Sequence, residues 1–242
     1  MHIATEDTDA ARRHGGQTPF GNGQRANRLR ATKLGGQIVN DYWSDLFAAR
    51  DDGRKVIWYN GTYIPPFFQA ANCAYVHGEA WSAYLAAKHG EIPAQAKGEQ
   101  RGYDRELCSY ARTRIGQALI DLEKLKSGTL GIDAESPRAL TMAKLPAPDM
   151  IINAYPYCSS GQQWDDITYR LFGKKVPIFH VSIPLLWGGR PDAAYLRGEE
   201  WNERSQYVAR QLRAMTAFIE EHTGEKYDWD RLSEVMSYVK KA

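Results

Sequence analysis

Met150-Ile151-Ile152-Asn153-Ala154-Tyr155 is a short apolar run, and Pro156-Tyr157-Cys158-Ser159-Ser160-Gly161 breaks it at once. A run of this length bounded by turn residues reads as a strand buried on both faces. A helical stretch follows over about 162–172, then a second apolar run, Val176-Pro177-Ile178-Phe179-His180-Val181. Strand, helix and strand joined by short links make a right-handed βαβ unit, and that unit requires a parallel sheet. The chain is therefore α/β. In such sheets ligands sit beyond the carboxyl ends of the strands, which is where this reading puts Cys158.

Working back from this unit, Pro146-Ala147-Pro148 reads as punctuation between two domains. Before it, Asp104 is a plausible N-cap for a helix to about residue 126, with Leu107, Ala111, Ile115, Ala118, Leu122 and Leu125 on one face. Cys108 falls in the first turn of that helix, where unpaired N–H groups favour an anion such as a thiolate. Further upstream, Lys55-Val56-Ile57-Trp58-Tyr59, closed by Asn60-Gly61, reads as a buried strand. Pro65-Pro66 then opens a helix that carries Phe67, Phe68 and Ala71 towards Cys73. A short helix over about 79–88 and a polar connection complete this half. A helix over 36–50 shows Ile38, Tyr42, Leu46 and Ala49 on one side.

Downstream, Val208, Leu212, Met215, Ile219 and His222 hold helical spacing up to Gly224. A last helix starts near Asp228 or Asp230 and carries Leu232, Val235 and Val239. The organisation expected is an irregular arm over 1–35, a first α/β domain over 36–145 and a further α/β domain over 146–242. The C-terminal one of these is expected to be incomplete, because its final helix has no terminator and its sheet is small. The arm is basic (Arg12, Arg13, Arg25, Arg28, Arg30, Lys33). Such an arm suits either phosphate contact or a tail draped on a partner.

Composition excludes several classes. The 242 residues carry 31 Lys+Arg against 29 Asp+Glu, are 43% hydrophobic and 25% charged, and form an ordinary globular chain. No run approaches the roughly 18–20 apolar residues of a membrane helix, and the polar start lacks a signal segment. A soluble, cytoplasmic protein is expected. No G-x-G-x-x-G or G-x-x-x-x-G-K-[ST] occurs, and Cys158-Ser159-Ser160-Gly161 lacks the glycines of a nucleophile elbow. His180 in its apolar strand reads as a hydrogen-bonded core residue.

The three cysteines, Cys73, Cys108 and Cys158, form no CxxC pair. Three readings stand open: three buried small residues, thiolates that meet at helix starts and strand ends and hold an iron–sulfur cluster with one iron open, or a Cys-ligated catalytic zinc, though His is usually among its ligands.

Asp104-Arg105-Glu106-Leu107-Cys108-Ser109-Tyr110 resembles the R-[DE]-[LI]-C-[ST]-Y segment of the 2-hydroxyacyl-CoA dehydratase and benzoyl-CoA reductase family. Pro146-Ala147-Pro148-Asp149-Met150-Ile151-Ile152, then Cys158 and Trp164, is similar to the same family. So is Gly224-Glu225-Lys226-Tyr227-Asp228-Trp229-Asp230-Arg231-Leu232. The resemblance spans about 36–242. It implies Rossmann-like domains with parallel sheets flanked by helices, a helical N-terminal region, and a [4Fe-4S] cluster with Cys73, Cys108 and Cys158 as its ligands. It also implies a second homologous subunit in a heterodimer, an ATP-dependent iron–sulfur activator or electron-donating subunits, and a CoA thioester substrate. Nucleic acid and membrane are not among the implied partners.

Within the family the segments around Cys108 and Cys158 lean to a catalytic subunit that reduces an aromatic, benzoyl-type CoA thioester by single-electron transfer. A 2-hydroxyacyl-CoA dehydratase subunit, or a non-catalytic relic, is the alternative. Ser159, Tyr110 and Gln162 are the candidates for stabilising an oxyanion or delivering a proton. Family subunits are longer than this chain, which points to a missing C-terminal domain.

Overall fold

Every residue of Val56–Gly61 and of Met150–Ala154 is buried, as expected of strands covered on both faces. A computed structural model of the chain describes residues 30–61, 63–87, 90–127, 145–154, 158–173, 175–183 and 198–241. Its elements are α1 (Arg30–Ala48), β1 (Val56–Gly61), α2 (Pro65–Ala70), β2 (Ala74–His77), α3 (Gly78–Ala87) and α4 (Glu91–Gln100). They continue with α5 (Ser109–Ser127), β3 (Met150–Ala154), α6 (Ser159–Leu171), β4 (Ile178–His180), α7 (Glu199–Thr223) and α8 (Trp229–Val239).

The four strands form one parallel sheet in the order β2-β1-β3-β4. Helices cover both faces, so the fold is α/β and Rossmann-like. On one face Ile57, Tyr59, Met150, Ile152 and Ala154 pack with Phe68 of α2 and with Met215 and Ile219 of α7. Strand alternation turns Trp58, Asn60, Ile151 and Asn153 to the opposite face. There α5 and α6 lie, joined by Ala111, Ile115 and Trp164. Among the described residues no helix is long and apolar enough to cross a membrane.

Several expectations are corrected. β1 pairs with both β2 and β3, so strands on either side of Pro146-Ala147-Pro148 share one sheet. The proline segment is a crossover inside that sheet: Trp58 Nε1 donates to Pro146 O at 3.0 Å, and Val56 N donates to Asp149 Oδ2 at 2.8 Å. The chain divides instead within the last part of α1, into the units Met1–Ser44 and Asp45–Ala242. In the first of these, α1 begins at Arg30, six residues before the expected start. Its Leu34, Ile38 and Val39 are exposed. The rest of the basic arm lies outside the described residues.

Two elements, β2 and α4, have no counterpart in the sequence expectations. The α4 helix packs on α5 at close range, since a Cβ on Gly116 would come within 1.7 Å of Ala94 O. Only glycine allows that approach. The expected strand over 176–181 is three residues long. The α7 helix ends at Gly224, and α8 is capped by Asp228, whose Oδ1 accepts from Arg231 N at 2.7 Å, both as expected.

Candidate functional site at the carboxyl edge of the sheet

Three helices begin at the carboxyl edge. The α3 helix follows β2 directly, α6 follows β3, and α5 is tied to the same edge through Ser82. The buried Ser82 hydroxyl lies 2.9 Å from Gly78 O and 3.3 Å from Tyr110 O. Helix N-termini bring unpaired N–H groups and partial positive charge to that edge, a setting suited to anionic groups.

Beneath them lies a buried polar cluster. Asn60 and Asn153 are register partners near the ends of β1 and β3. Both donate through Nδ2 to the same oxygen, Asp165 Oδ2, at 2.6 and 2.8 Å. Asn153 Nδ2 also lies 3.3 Å from Gly161 O, in the first turn of α6. Asp165 therefore clamps α6, and with it the Cys158 corner, to two adjacent strands. Arg114 of α5 is fully buried, with its guanidinium 3.6 Å from the Trp58 ring centroid. Its three nitrogens have no hydrogen-bond partner among the described residues. Its charge is balanced by the fields of Asp165 and Asp121 and by the ring face.

Burial pushes the Asp165 carboxyl up to about 7, although Arg114 and the two asparagines pull it down. Burial also pushes the Arg114 guanidinium down to about 10 against the pull of the two aspartates. Desolvation outweighs pairing in both groups because no direct hydrogen bond joins them. Gly78 lets the cluster close: a Cβ there would meet Asn60 Oδ1 at 2.7 Å and Trp164 Nε1 at 3.3 Å.

Like the polar cluster, two further residues at this edge escape sequence reasoning. His77 ends β2, with Nε2 3.4 Å from Gly61 N and Nδ1 3.2 Å from Glu79 N. Burial lowers its pKa, so it is a neutral imidazole at pH 7. Tyr63, just past β1, has φ 69° and is 89% exposed. A bulky residue in the left-handed region is strained, and such strain collects at functional edges. Its signal in sequence is slight: a loop position between Gly61 and Pro65. The anchored neighbour, Ile64, is buried.

The cysteines do not converge as expected. Cys108 is exposed and precedes α5 instead of lying in its first turn; its carbonyl accepts from Arg112 N at 3.0 Å, as an N-cap residue does. Cys158 is half-buried at the N-cap of α6. These two stand at the starts of neighbouring helices on one face of the sheet. Cys73 precedes β2, whose first residue Ala74 is level with Val56, the first of β1. It thus lies at the amino edge, separated from the Cys158 corner by the length of the strands, about 16 Å for five residues.

Cys73 is also a buried thiol that donates to Ala71 O at 3.5 Å and is pushed up to about 12 by burial and by Asp149 and Glu225. Metal ligation needs a thiolate. A cluster held jointly by Cys73, Cys108 and Cys158 does not fit this arrangement. Among the described residues no group of three or more His, Cys, Asp or Glu is placed to hold a metal ion. Ser159, Gln162 and Tyr110 are all exposed, in the first turns of α6 and α5. Tyr155, Pro156 and Tyr157 lie outside the described residues.

An α/β protein with a parallel sheet and two thiol-bearing helix starts at its carboxyl edge is the class this geometry defines. The profile of the 2-hydroxyglutaryl-CoA dehydratase D-component family matches residues 63–242, well over half of the chain. The chain belongs to that family. It is 24% identical over 204 residues to the (R)-2-hydroxyisocaproyl-CoA dehydratase alpha subunit of Clostridioides difficile, covering 82% of this chain and 43% of that one. It is 23% identical over 200 residues to the lactoyl-CoA dehydratase subunit alpha of Anaerotignum propionicum, covering 82% and 44%. With the (R)-phenyllactyl-CoA dehydratase alpha subunit of Clostridium sporogenes it shares 21% identity over 200 residues, covering 83% and 42%. The chain spans less than half the length of each of these relatives. All three are dehydratase subunits, so they support the dehydratase branch and add nothing to the benzoyl-CoA lean.

Proposed function

We propose that this chain is the acyl-CoA-binding α/β portion of a 2-hydroxyacyl-CoA dehydratase subunit, with its working face at the carboxyl edge of the sheet. The observation that carries the reading is the family match over 63–242 together with two thiol-bearing helix starts, Cys108 and Cys158, above that edge. Removing water from a 2-hydroxyacyl thioester takes the C2 hydroxyl and a C3 hydrogen and leaves a 2-enoyl thioester, with no net change of oxidation level. Reduction of an aromatic ring would consume electrons. The two outcomes are therefore separable by product.

In this reading the N–H groups that open α3, α5 and α6 face the thioester carbonyl, and they stabilise negative charge on its oxygen. Tyr63 and Tyr110 are exposed rings near this edge, available to an acyl chain. Ser159 and Gln162 are exposed polar groups in the first turn after Cys158, suited to orienting a hydroxyl. Cys108 and Cys158 are the thiols offered to an iron–sulfur group, and Cys73 is not. A partner subunit and an electron-supplying activator belong to the same proposal.

The test is anaerobic purification of the chain with whatever partner it retains, followed by turnover with lactoyl-CoA and with benzoyl-CoA. Acrylyl-CoA from the first and no diene from the second is the expected result. Diene from benzoyl-CoA would restore the reductase reading, and binding of neither thioester would overturn both. Iron analysis of Cys108→Ala, Cys158→Ala and Cys73→Ala should show losses in the first two only.

A further inference from the structure

A cavity of about 290 Å³ opens between α4 and α5, lined by Ile92, Gln95, Ala96, Glu99, Arg105 and Arg112. Its cationic side is partly fixed. Arg112, with a side chain only 11% exposed, pairs with Glu99 and donates Nε to Leu107 O at 3.2 Å. Arg105 meets the same carboxylate, Nε to Oε2 at 3.2 Å, while its side chain is 82% exposed. Its two Nη groups have no hydrogen-bond partner among the described residues. One carboxylate thus serves two guanidiniums, and the lining keeps a net positive charge with a free planar fork. Such a fork matches phosphate or carboxylate oxygens in pairs. The apolar part of the lining is Ala96 and Ile92, which is 57% exposed.

The cavity adjoins the Cys108 corner. Arg105 stands three residues before that cysteine, and Arg112 N donates to Cys108 O. Its volume is at the lower end of the roughly 300–1,000 Å³ typical of small-molecule sites. It has room for one end of an elongated ligand.

We propose that this cavity binds the phosphorylated nucleotide end of the CoA thioester, with a phosphate on Arg105 and Arg112 and the flat base against Ile92 and Ala96. The inference rests on the acyl-CoA reading above and adds where the non-reacting end of the substrate sits. A free nucleotide phosphate has the same chemistry, so the experiment separates the two sources. Neither adenosine, which lacks the charge, nor inorganic phosphate, which lacks the ring, satisfies both the cationic and the apolar part of the lining.

Calorimetry on the anaerobically purified protein would use adenosine 3′,5′-bisphosphate, adenosine, inorganic phosphate and lactoyl-CoA as probes. The bisphosphate is expected to bind more tightly than adenosine or phosphate and to weaken as salt rises. Arg105→Ala is expected to weaken the bisphosphate and lactoyl-CoA about tenfold, and Arg105→Glu further. Arg105 is mostly exposed, and equal melting temperatures of the variants would show that the fold is kept. Bisphosphate binding that is absent, or unchanged in both variants, overturns the proposal. If lactoyl-CoA binds wild type and both variants equally, the subsite falls and the acyl-CoA reading stands. If bisphosphate binding depends on Arg105 but lactoyl-CoA binds no better than the bisphosphate, the subsite stands and the acyl-CoA reading falls.

Discussion

The buried Asp165 sets a pH dependence of stability with a defined sign. Its carboxyl moves from an ordinary value of 3.8 to about 7 in the folded chain, with burial as the leading cause. Between those values the folded state holds a proton that the unfolded state has lost, so stability falls as pH rises through this window and is flat beyond it. At 1.36 kcal/mol per pH unit, a shift of about three units amounts to about 4 kcal/mol. The perturbation to use is Asp165→Asn, which keeps the shape and an acceptor for the Asn60 and Asn153 amides but cannot titrate. Urea unfolding of both proteins at pH 4.5, 5.5, 6.5 and 7.5 isolates the site, because other groups cancel in the difference. Wild type minus variant should drop by about 3 kcal/mol from pH 4.5 to 7.5. That is about 1 M in urea midpoint if the slope is about 3 kcal/mol/M. A difference that stays level or rises with pH would mean that Arg114 keeps the carboxylate ionised throughout, and the argument that desolvation wins would be wrong.

Three further outcomes are expected. Tyr63→Gly should leave stability unchanged or raise it by about 1 kcal/mol, since relief of a left-handed conformation offsets the greater freedom of the unfolded glycine; a thermal melt showing a loss above 1 kcal/mol would mean that the exposed ring is held by contacts. Gly116→Ala should cost about 3 kcal/mol or more in urea unfolding, because the added methyl meets the Ala94 carbonyl and α4 must move. A thiol reagent at pH 8, followed by peptide mapping, should label Cys108 early and Cys73 only on unfolding, since Cys73 is buried and titrates at about 12; early labelling of Cys73 would put it in a different environment.

What is legible in the sequence follows from which elements carry their own physics. The β1 and β3 strands are continuous apolar runs because both their faces are covered, and α7 shows its core face as a strict spacing that ends at a glycine. Asp228 caps α8 as its sequence implies. Asp104 obeys the same local rule, yet it accepts from the adjacent Arg105 N in a turn, and the helix waits until Ser109. A capping residue marks where a helix can start; the anchoring of α5 by Ser82, a distant side chain, settles where it does. The α4 helix contains Pro93 and Gly98 and has little apolar character of its own. It exists through its contact with Gly116, which no local pattern announces. The burial of Arg114 is within reach of the sequence, since 111, 114, 115 and 118 share a helix face. Its partners are not, because pairing Asn60 with Asn153 requires the register of the sheet.

The fate of Cys73 turns on a single strand that local pattern does not reveal. Ala74-Tyr75-Val76-His77 has only four residues and follows Asn72, which turns the chain in the left-handed region at φ 51°. Without β2, nothing in the local pattern would keep Cys73 from the edge where the other thiols stand. With β2 present and parallel to β1, whatever precedes it must lie at the amino edge, and whatever follows it must lie at the carboxyl edge. The residue that β2 delivers to the working face is therefore His77, four positions on. Spacing alone sets how many residues separate two donors; the direction of the strand between them decides whether they can meet. Cys108 and Cys158 pass that test because each precedes a helix that runs back from the carboxyl edge. At that edge His77 joins the two thiols near the helix starts, whereas Cys73 stands at the other end of the strands.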